Sequence, residues 1–438
     1  MKKFYPKSLL LFLLPFTAFA QLYVQPNPDA TSTDEVYIYN KGQILFVEQD
    51  INLKGDGIDG ALNNEGNIYL RDEGQLIQGR NSLDNNSGEG IVSVYQEGTA
   101  NEYDYHFWAS PVSDVFISGT SGNQPFNLDY GITGGGIFNV ENLIGSSTAK
   151  FSPDDYEGHS SPLQIATYWL QKFTIGTEYA NWSPIGETGL LETGEGFTMK
   201  GVEKLTPDYE QRYDFRGRPN NGDIEVDVVK DQYTLVGNPY PSSMDLNFYL
   251  LSNSNQSVAS CTDGSFTPSA VRDAITGIAY FWESDPGVKS HYLRDYQGGY
   301  GTYSPSLSCS GSGTYAPATF TMYDINDVDG TIDPTGTTYG NGDGGLERRN
   351  VPIAQGFFVV GSPTAPPGSK VIARNEFRVF KKESNPFDRS DFKSAKQVND
   401  ELNTGKQAQA ALLSPERISY DTTTGDILMP KFKISTGI

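Results

Sequence analysis

The chain is poor in the residues that build common catalytic and metal centres. Its 438 residues include 3 histidines and 2 cysteines. His106, His159 and His291 form no His-x-His or His-Glu-x-x-His pair, the spacings that hold zinc. A Gly-x-Ser-x-Gly elbow for a nucleophilic serine is also absent. These absences argue against a zinc enzyme or a serine hydrolase, and we expect the protein not to be an enzyme.

Long hydrophobic runs are lacking after residue 20. Before it, Lys2, Lys3 and Lys7 form a basic region, residues 9–16 are mostly apolar, and Ala18-Phe19-Ala20 is typical of a cleavage site. The apolar run is too short to span a bilayer, which takes about 20 residues. We therefore expect residues 1–20 to be a secretory signal peptide, and the mature chain to be exported with no membrane-spanning segment.

Positive charge is scarce. The chain carries 32 basic and 54 acidic residues, a net charge of -22. Signal cleavage removes three lysines and no acid, so the mature net charge becomes -25. Phosphates would be repelled, which excludes nucleic acid as an expected partner and argues against docking on anionic lipid. Excess carboxylate instead favours solubility outside the cell.

Helical periodicity is nearly absent from residues 21–385. The 47 glycines, 25 prolines, 26 tyrosines and 24 phenylalanines punctuate short alternating or apolar runs, a pattern typical of strands and turns. We predict an all-β fold with a short parallel β-solenoid followed by two related β-sandwich modules. Residues 243–251 are the exception and predict a brief helix or a strand. The predicted domains are a signal peptide (1–20), solenoid-like repeats (21–100), a first module (101–230), a second module (231–385), and a polar linker with an incomplete β segment (386–438).

The solenoid prediction depends on a repeat of 24 residues. Asn40-Lys41-Gly42-Gln43-Ile44 recurs 24 residues later, around Gly66 and Ile68, and again around Gly90 and Val92. Glycine suits a tight corner, and the apolar residues that follow it at spacings of two point to one face of a strand. Such rungs stack because each is too small to bury a core alone. An ordinary β-meander is the alternative.

The two modules share landmarks in the same order. Residues 105–112 align with 233–240 and share a tyrosine, a small residue and a proline at equal spacing, and residues 194–201 align with 354–361 and share Gly-Phe and a final glycine. Between them, residues 167–170 align with 279–282, and after them residues 213–216 align with 375–378. This order indicates an internal duplication. The alternative is chance similarity among short strands rich in glycine and aromatic residues.

Three groups of residues are candidate sites. Oxygen ligands crowd one acidic stretch and suggest calcium, although their register differs from that of an EF-hand; they are Asp324, Asn326, Asp327, Asp329 and Asp333. Cys261 and Cys309 are an even pair in an exported chain and predict a disulfide. Trp169, Trp182 and Trp282 are candidates for stacking on sugar rings, with core packing as the alternative. Glu195 aligns with Gln355 and His106 lies in an aromatic strand, so we expect a turn role for Glu195 and a packed structural role for His106.

Several of these strings resemble the amino-terminal β-rich region of large secreted surface proteins of Bacteroidota. The similar strings are residues 103–112, 195–197, 237–242 and 355–359, of which Gly-Asn-Pro-Tyr-Pro is the most specific. The resemblance implies type IX secretion, a cell-surface or extracellular location, and an adhesin-like role with the secretion machinery or other surface proteins as partners. No complete sorting domain follows residue 429, so we expect either a longer native protein or a periplasmic location.

The function that we expect is therefore that of an exported, adhesin-like protein that is not an enzyme. The alternatives are a carbohydrate-binding β-sandwich protein, with a glycan as partner, or the accessory region of a secreted polysaccharide-degrading enzyme. No cofactor other than calcium is expected.

Overall fold

Strands dominate the structure. The computed structural model describes most of residues 22–384; the longest gaps are 27–35, 56–64, 204–209, 257–271, 323–339 and 342–347, and residues 1–21 and 385–438 lie outside it. A single short α-helix, α1 (Leu246–Asn253), occurs in the described part. The all-β class is thus confirmed, with many sheets arranged as in β-sandwich modules. No described helix has the length and apolar character needed to cross a membrane.

The strands before residue 100 pair only in parallel with one another. They are β1 (Leu22–Val24), β2 (Val36–Lys41), β3 (Ile44–Val47), β4 (Ile51–Leu53), β5 (Gly66–Arg71), β6 (Gln75–Gln78), β7 (Ser87–Gly88) and β8 (Val92–Thr99). Three stacks result, in the orders β1-β4-β7, β2-β5-β8 and β3-β6. Within each stack, neighbouring strands are parallel, which is the pairing that a solenoid requires.

The predicted spacing of 24 residues holds for only one step of the stack. Ile68 lies opposite Val92, as predicted. Ile44, which the repeat aligns with Ile68, instead lies opposite Gln75. The reason is the corner: Gly42 has a φ of 63°, and the matching corner of the next turn is made by Asp72 and Glu73, with φ values of 49° and 61°. Because the residues with positive φ at that second corner are not glycines, the sequence repeat misses it.

The first module adds antiparallel strands to the sheet that contains β8 and also forms a second sheet. Its strands are β9 (Tyr105–Ala109), β10 (Val112–Ser113), β11 (Gly136–Val140), β12 (Ser146–Thr148), β13 (Lys150–Ser152), β14 (His159–Ser160), β15 (Leu163–Ala166), β16 (Gln171–Phe173), β17 (Trp182–Pro184), β18 (Gly196–Lys200) and β19 (Glu210–Pro219). One sheet runs β12-β11-β19-β8-β5-β2, and another runs β17-β16-β18-β9. One apolar core spans the stack and this module, and it includes Ile68, Trp108, Phe197 and Phe215.

The second module has its own core, which includes Tyr240, Phe281 and Phe357. Its strands are β20 (Ile224–Asp227), β21 (Tyr233–Gly237), β22 (Ser243–Asp245), β23 (Ile275–Ser284), β24 (Gln297–Ser304), β25 (Thr314–Ala316), β26 (Thr319–Met322), β27 (Gly340–Asn341), β28 (Asn350–Val351), β29 (Gly356–Gly361), β30 (Lys370–Ala373) and β31 (Arg378–Val379). The main sheet runs β21-β29-β23-β24-β26-β27.

Both readings of residues 243–251 are partly right, because a strand leads directly into α1. Asp245 ends β22 and is the N-cap of the helix, where its side chain accepts a hydrogen bond from the Phe248 amide. The same carboxylate receives the Arg349 guanidinium at 2.9 Å. The helix is therefore anchored at its start and buried along its whole length.

The duplicated strands meet at a seam with approximate two-fold symmetry. In the first module Gly196 lies opposite Ala109, and in the second Gly356 lies opposite Gly237, which are the aligned positions. The modules also exchange equivalent hydrogen bonds: the Ala109 amide donates to Ala354 at 2.8 Å, and the Gly237 amide donates to Gly194 at 3.3 Å. Ala354 and Gly194 both have positive φ, 63° and 90°. The matching register and the reciprocal bonds support the duplication.

The other two aligned landmarks do not coincide. Tyr168 and Trp169 lie in a 3-10 turn (Thr167–Trp169), and it is Gln171 that lies opposite Thr198, as Tyr280 lies opposite Phe358. The sequence alignment is thus wrong by three residues here, because the turn interrupts the strand. Phe215 lies in β19, whereas Phe377 ends a 3-10 turn (Asn375–Phe377), although both rings are fully buried.

Candidate functional site

An aromatic cleft lies where the two modules meet, and it is the candidate functional site. The space between its side chains amounts to about 520 Å³, part of which is open to solvent. Six lining residues come from the first module and three from the second: Tyr105, Phe107, Gln171, Tyr179, Trp182, Thr198, Trp282, Tyr296 and Tyr300. We call this feature the cleft.

Strand alternation places the first-module residues in the cleft. Successive side chains of a strand point to opposite faces. In β9, Tyr105 and Phe107 line the cleft, whereas Trp108 enters the core of the first module. In β18, Thr198 likewise lines the cleft, whereas Phe197 enters the core. One surface of this sheet is therefore committed to the fold and the other to the cleft.

A small apolar cluster joins the modules beneath the cleft. Phe107 of β9 and Phe358 of β29 meet edge to face, with ring centroids 5.4 Å apart. Leu235 of β21 completes this cluster. Each of the three is at most 5% exposed. The base of the cleft is thus rigid and contributed by both modules.

The walls come from opposite sheets. The Trp182 ring lies 5.9 Å from Phe107 and 5.9 Å from Phe358. On the second module, Tyr300 lies 5.9 Å from Phe358 and 5.3 Å from Trp282. The Nε1 of Trp282 is shielded from solvent and has no hydrogen-bond partner among the described residues. Two indole rings and several tyrosines therefore line one concave surface, which also carries the neutral polar groups of Gln171 and Thr198.

The structure brings together two of the three tryptophans predicted to stack on sugars. Trp182 and Trp282 both line the cleft and are partly exposed. Trp169 is 6% exposed, its Nε1 donates to the Tyr156 carbonyl at 2.7 Å, and its ring stacks on His291 with centroids 5.3 Å apart. Trp169 is therefore a packed residue, which corrects that part of the prediction.

A buried lysine lies at one end of the cleft, and sequence reasoning missed it. Lys200 is 5% exposed, and its Nζ lies 3.7 Å from the Trp169 ring centroid, 4.6 Å from that of Tyr105 and 4.9 Å from that of Tyr296. Burial lowers the pKa of Lys200 to about 7. The three ring faces act in the opposite direction, because they attract the ammonium form. A lysine that ends an apolar strand run is the only sequence signal for this arrangement.

The other predicted site residues contribute no second centre that can be described. Asp324, Asn326, Asp327, Asp329 and Asp333 lie outside the described residues, as does Cys261, so the calcium site and the disulfide stay predictions. Cys309 is half-buried against the second core. Among the described residues, no group of three or more His, Cys, Asp or Glu side chains could hold a metal ion.

The two residues predicted to be structural occupy positions of that kind. The Glu195 carboxylate accepts from the Glu192 amide at 2.9 Å and pairs with Lys172 at 3.2 Å, so it braces its own turn. His106 is 3% exposed within β9.

One comparison with known proteins gave a match. A family model described as "Domain of unknown function (DUF8693)" matches residues 18–407. No curated protein and no solved structure matches the chain.

Proposed function

The chain belongs to this family of unknown function, and we propose that it is an exported, adhesin-like protein that is not an enzyme and that binds a glycan in the cleft. The observation that carries the proposal is the meeting of Trp182 and Trp282 on one concave surface, contributed by two modules. Aromatic faces offer large, rigid contact area to the C–H faces of sugar rings, and a polar edge alongside them can pair with hydroxyl groups.

The chemistry of the cleft favours a neutral sugar. The nine lining residues are aromatic or neutral polar, and none is a carboxylate, imidazole, thiol or cation. A charged ligand would lose its hydration there without gaining a partner of opposite charge among these nine residues. The same lining supplies stacking and hydrogen bonding, as binding needs, but no pair of acidic groups such as glycoside hydrolysis uses.

Export is the second part of the proposal. It is supported by the basic region, the apolar run and the small residues before Gln21, and by the resemblance to secreted surface proteins. Amino-terminal mapping of the protein from surface, medium and periplasmic fractions tests it. A mature terminus at Gln21 in the surface or medium fraction is expected, whereas a protein confined to the periplasm would overturn the surface location.

Binding is tested by isothermal titration calorimetry with neutral hexasaccharides of glucose, xylose and mannose. We expect at least one to bind, and Trp282→Ala to weaken it at least about tenfold, the equivalent of about 1.4 kcal/mol. Tyr37→Ala is the control, because Tyr37 is an exposed aromatic residue outside the cleft; it should bind like the wild type. An equal loss in both variants, or no binding to any sugar, would refute the glycan proposal.

A further inference from the structure

We propose that Lys200 and His291 form a latch at one end of the cleft, and that protonation of His291 opens it. When the latch opens, Tyr296 leaves its place against the first module and the cleft loses part of its wall. The effect on a bound glycan rests on the proposed function, but the latch itself does not.

The latch joins the two modules through hydrogen bonds. Lys200 Nζ lies 3.1 Å from His291 Nδ1, and it also donates to the Tyr296 hydroxyl. That hydroxyl in turn donates to the Tyr103 carbonyl of the first module. Lys200 follows Thr198 by two residues in β18 and therefore points to the same face as this cleft residue. Since Tyr296 lines the cleft, the latch and the cleft share a wall.

This geometry requires an unprotonated His291. Its Nδ1 can accept a hydrogen bond from the Lys200 ammonium only with a free lone pair. An imidazolium at the same place would set two cations 3.1 Å apart at a site where Lys200 is buried and His291 is partly buried. Burial and, after it, the charge of Lys200 lower the pKa of His291 from its ordinary 6.5.

Acidic groups nearby oppose this effect without cancelling it. The His291 Nε2 lies 3.8 Å from Glu157, a longer contact than the one with Lys200. Glu102 raises the pKa of His291, but it ranks behind burial and Lys200 among the causes. Asp104 raises the pKa of Lys200 and so favours the ammonium. Among the described residues, the other titratable groups that face His291 are Tyr103 and Tyr156, besides Tyr296 of the latch.

The direction of the switch follows from the lowered pKa. A histidine released from the latch regains a pKa near 6.5, so below that pH the open form takes up the proton more readily than the closed form. The contribution of His291 to closure is therefore complete above about pH 6.5 and is lost progressively as the pH falls below it. The cleft should hold its ligand at neutral pH and release it in mild acid.

Hydrogen exchange at pH 7.5 and 5.5, corrected for the intrinsic pH dependence of exchange, tests the latch without any ligand. In the wild type, we expect the peptide that carries His291 to exchange faster at pH 5.5, by up to about tenfold, because a released histidine with a pKa near 6.5 is about ten parts protonated to one at that pH. His291→Gln keeps an acceptor for Lys200 but cannot be protonated in this range, so the pH effect should disappear.

The matched control is His159→Gln. His159 is another of the chain's three histidines, it lies among carboxylates at 3.2 Å from Asp155 and 3.5 Å from Glu203, and it does not contact the latch. This variant should keep the wild-type pH effect. Lys200→Met is the second latch variant and should reduce the effect, because it removes the charge that opposes protonation but leaves His291 partly buried.

Each outcome decides the matter. A wild type with no difference between the two pH values, or a pH effect that persists in both His291→Gln and Lys200→Met, overturns the latch. If the pH effect disappeared in His159→Gln, the effect would depend on His159, and its assignment to His291 would be wrong. If the latch titrates as expected but no neutral hexasaccharide binds, the latch stands and the proposed function fails.

Discussion

Gly237 should not tolerate even one added methyl group, because it lies at the closest approach of the two modules. A Cβ at this position would lie 2.5 Å from the Ala109 Cβ, 2.7 Å from the Gln355 carbonyl oxygen and 3.0 Å from the Gly356 Cα. Two of these atoms are backbone, so no side-chain rotation can relieve the overlap. The seam must therefore widen if the residue becomes alanine.

The magnitude follows from two opposing effects. Overpacking costs about 1–3 kcal/mol, and contact with backbone favours the upper end. Replacing glycine by alanine also stabilises the folded state by about 0.4–1 kcal/mol, because the unfolded chain then has less conformational entropy to lose on folding. We expect Gly237→Ala to lower the free energy of unfolding by about 2 kcal/mol, which is about 4–8 °C in the melting temperature of a unit of 150–250 residues.

Denaturant titration followed by tryptophan fluorescence measures the change, with Gly131→Ala as the matched control. An added Cβ at Gly131 meets only the Asp129 carboxylate, at 3.4 Å or more, and this exposed site should change stability by no more than about 0.5 kcal/mol. Ala109→Gly should partly rescue Gly237→Ala, because it removes the nearest contact. If Gly237→Ala and Gly131→Ala were equally stable, the close seam would be refuted.

Two further predictions concern buried carboxylates. Asp214 is fully buried and accepts hydrogen bonds from Ser93, Ser146 and Arg216 at 2.5–2.7 Å. In denaturant titration, Asp214→Ala should lower the free energy of unfolding by about 3–5 kcal/mol, because it leaves a buried cation unpaired. A decrease below about 1 kcal/mol would contradict this. Burial raises the pKa of Asp84 from 3.8 to about 7, so its contribution to stability is full at low pH and is lost as the pH rises towards 7. The free energy of unfolding of Asp84→Asn, relative to that of the wild type, should therefore increase by at least about 1 kcal/mol between pH 5 and pH 8. Stability curves that stay parallel over this range would contradict the prediction.

The all-β class could be predicted because glycine, proline and alternating aromatic residues act locally. The equivalence of β9 with β21 and of β18 with β29 also followed from the sequence, since a small residue lies at the same place in each aligned pair of strands. The alignment failed where a turn inserted residues, as at Tyr168, and where Asp72 and Glu73 adopted positive φ without glycine. Such conformations are set by tertiary contacts that local sequence does not encode.

The cleft could be predicted only in part. Trp182 and Trp282 were candidates because of their residue type, but nothing in the sequence places them together, since they are 100 positions apart and lie in different sheets. Trp169 has the same composition around it and is nevertheless buried, because its indole N–H finds the Tyr156 carbonyl. Lys200 was missed for a related reason: its aromatic neighbours come from three separate strands or turns that only the fold brings together.

Saturation-transfer difference NMR on the mature protein with the neutral hexasaccharides tests the central claim most directly, because it reports which ligand protons touch the cleft. We predict transfer that is strongest to the C–H protons of the sugar ring, and that is lost in Trp282→Ala while it persists in Tyr37→Ala. Transfer that is absent from every sugar, or that is unchanged in Trp282→Ala, would contradict the assignment of the cleft as a glycan-binding site.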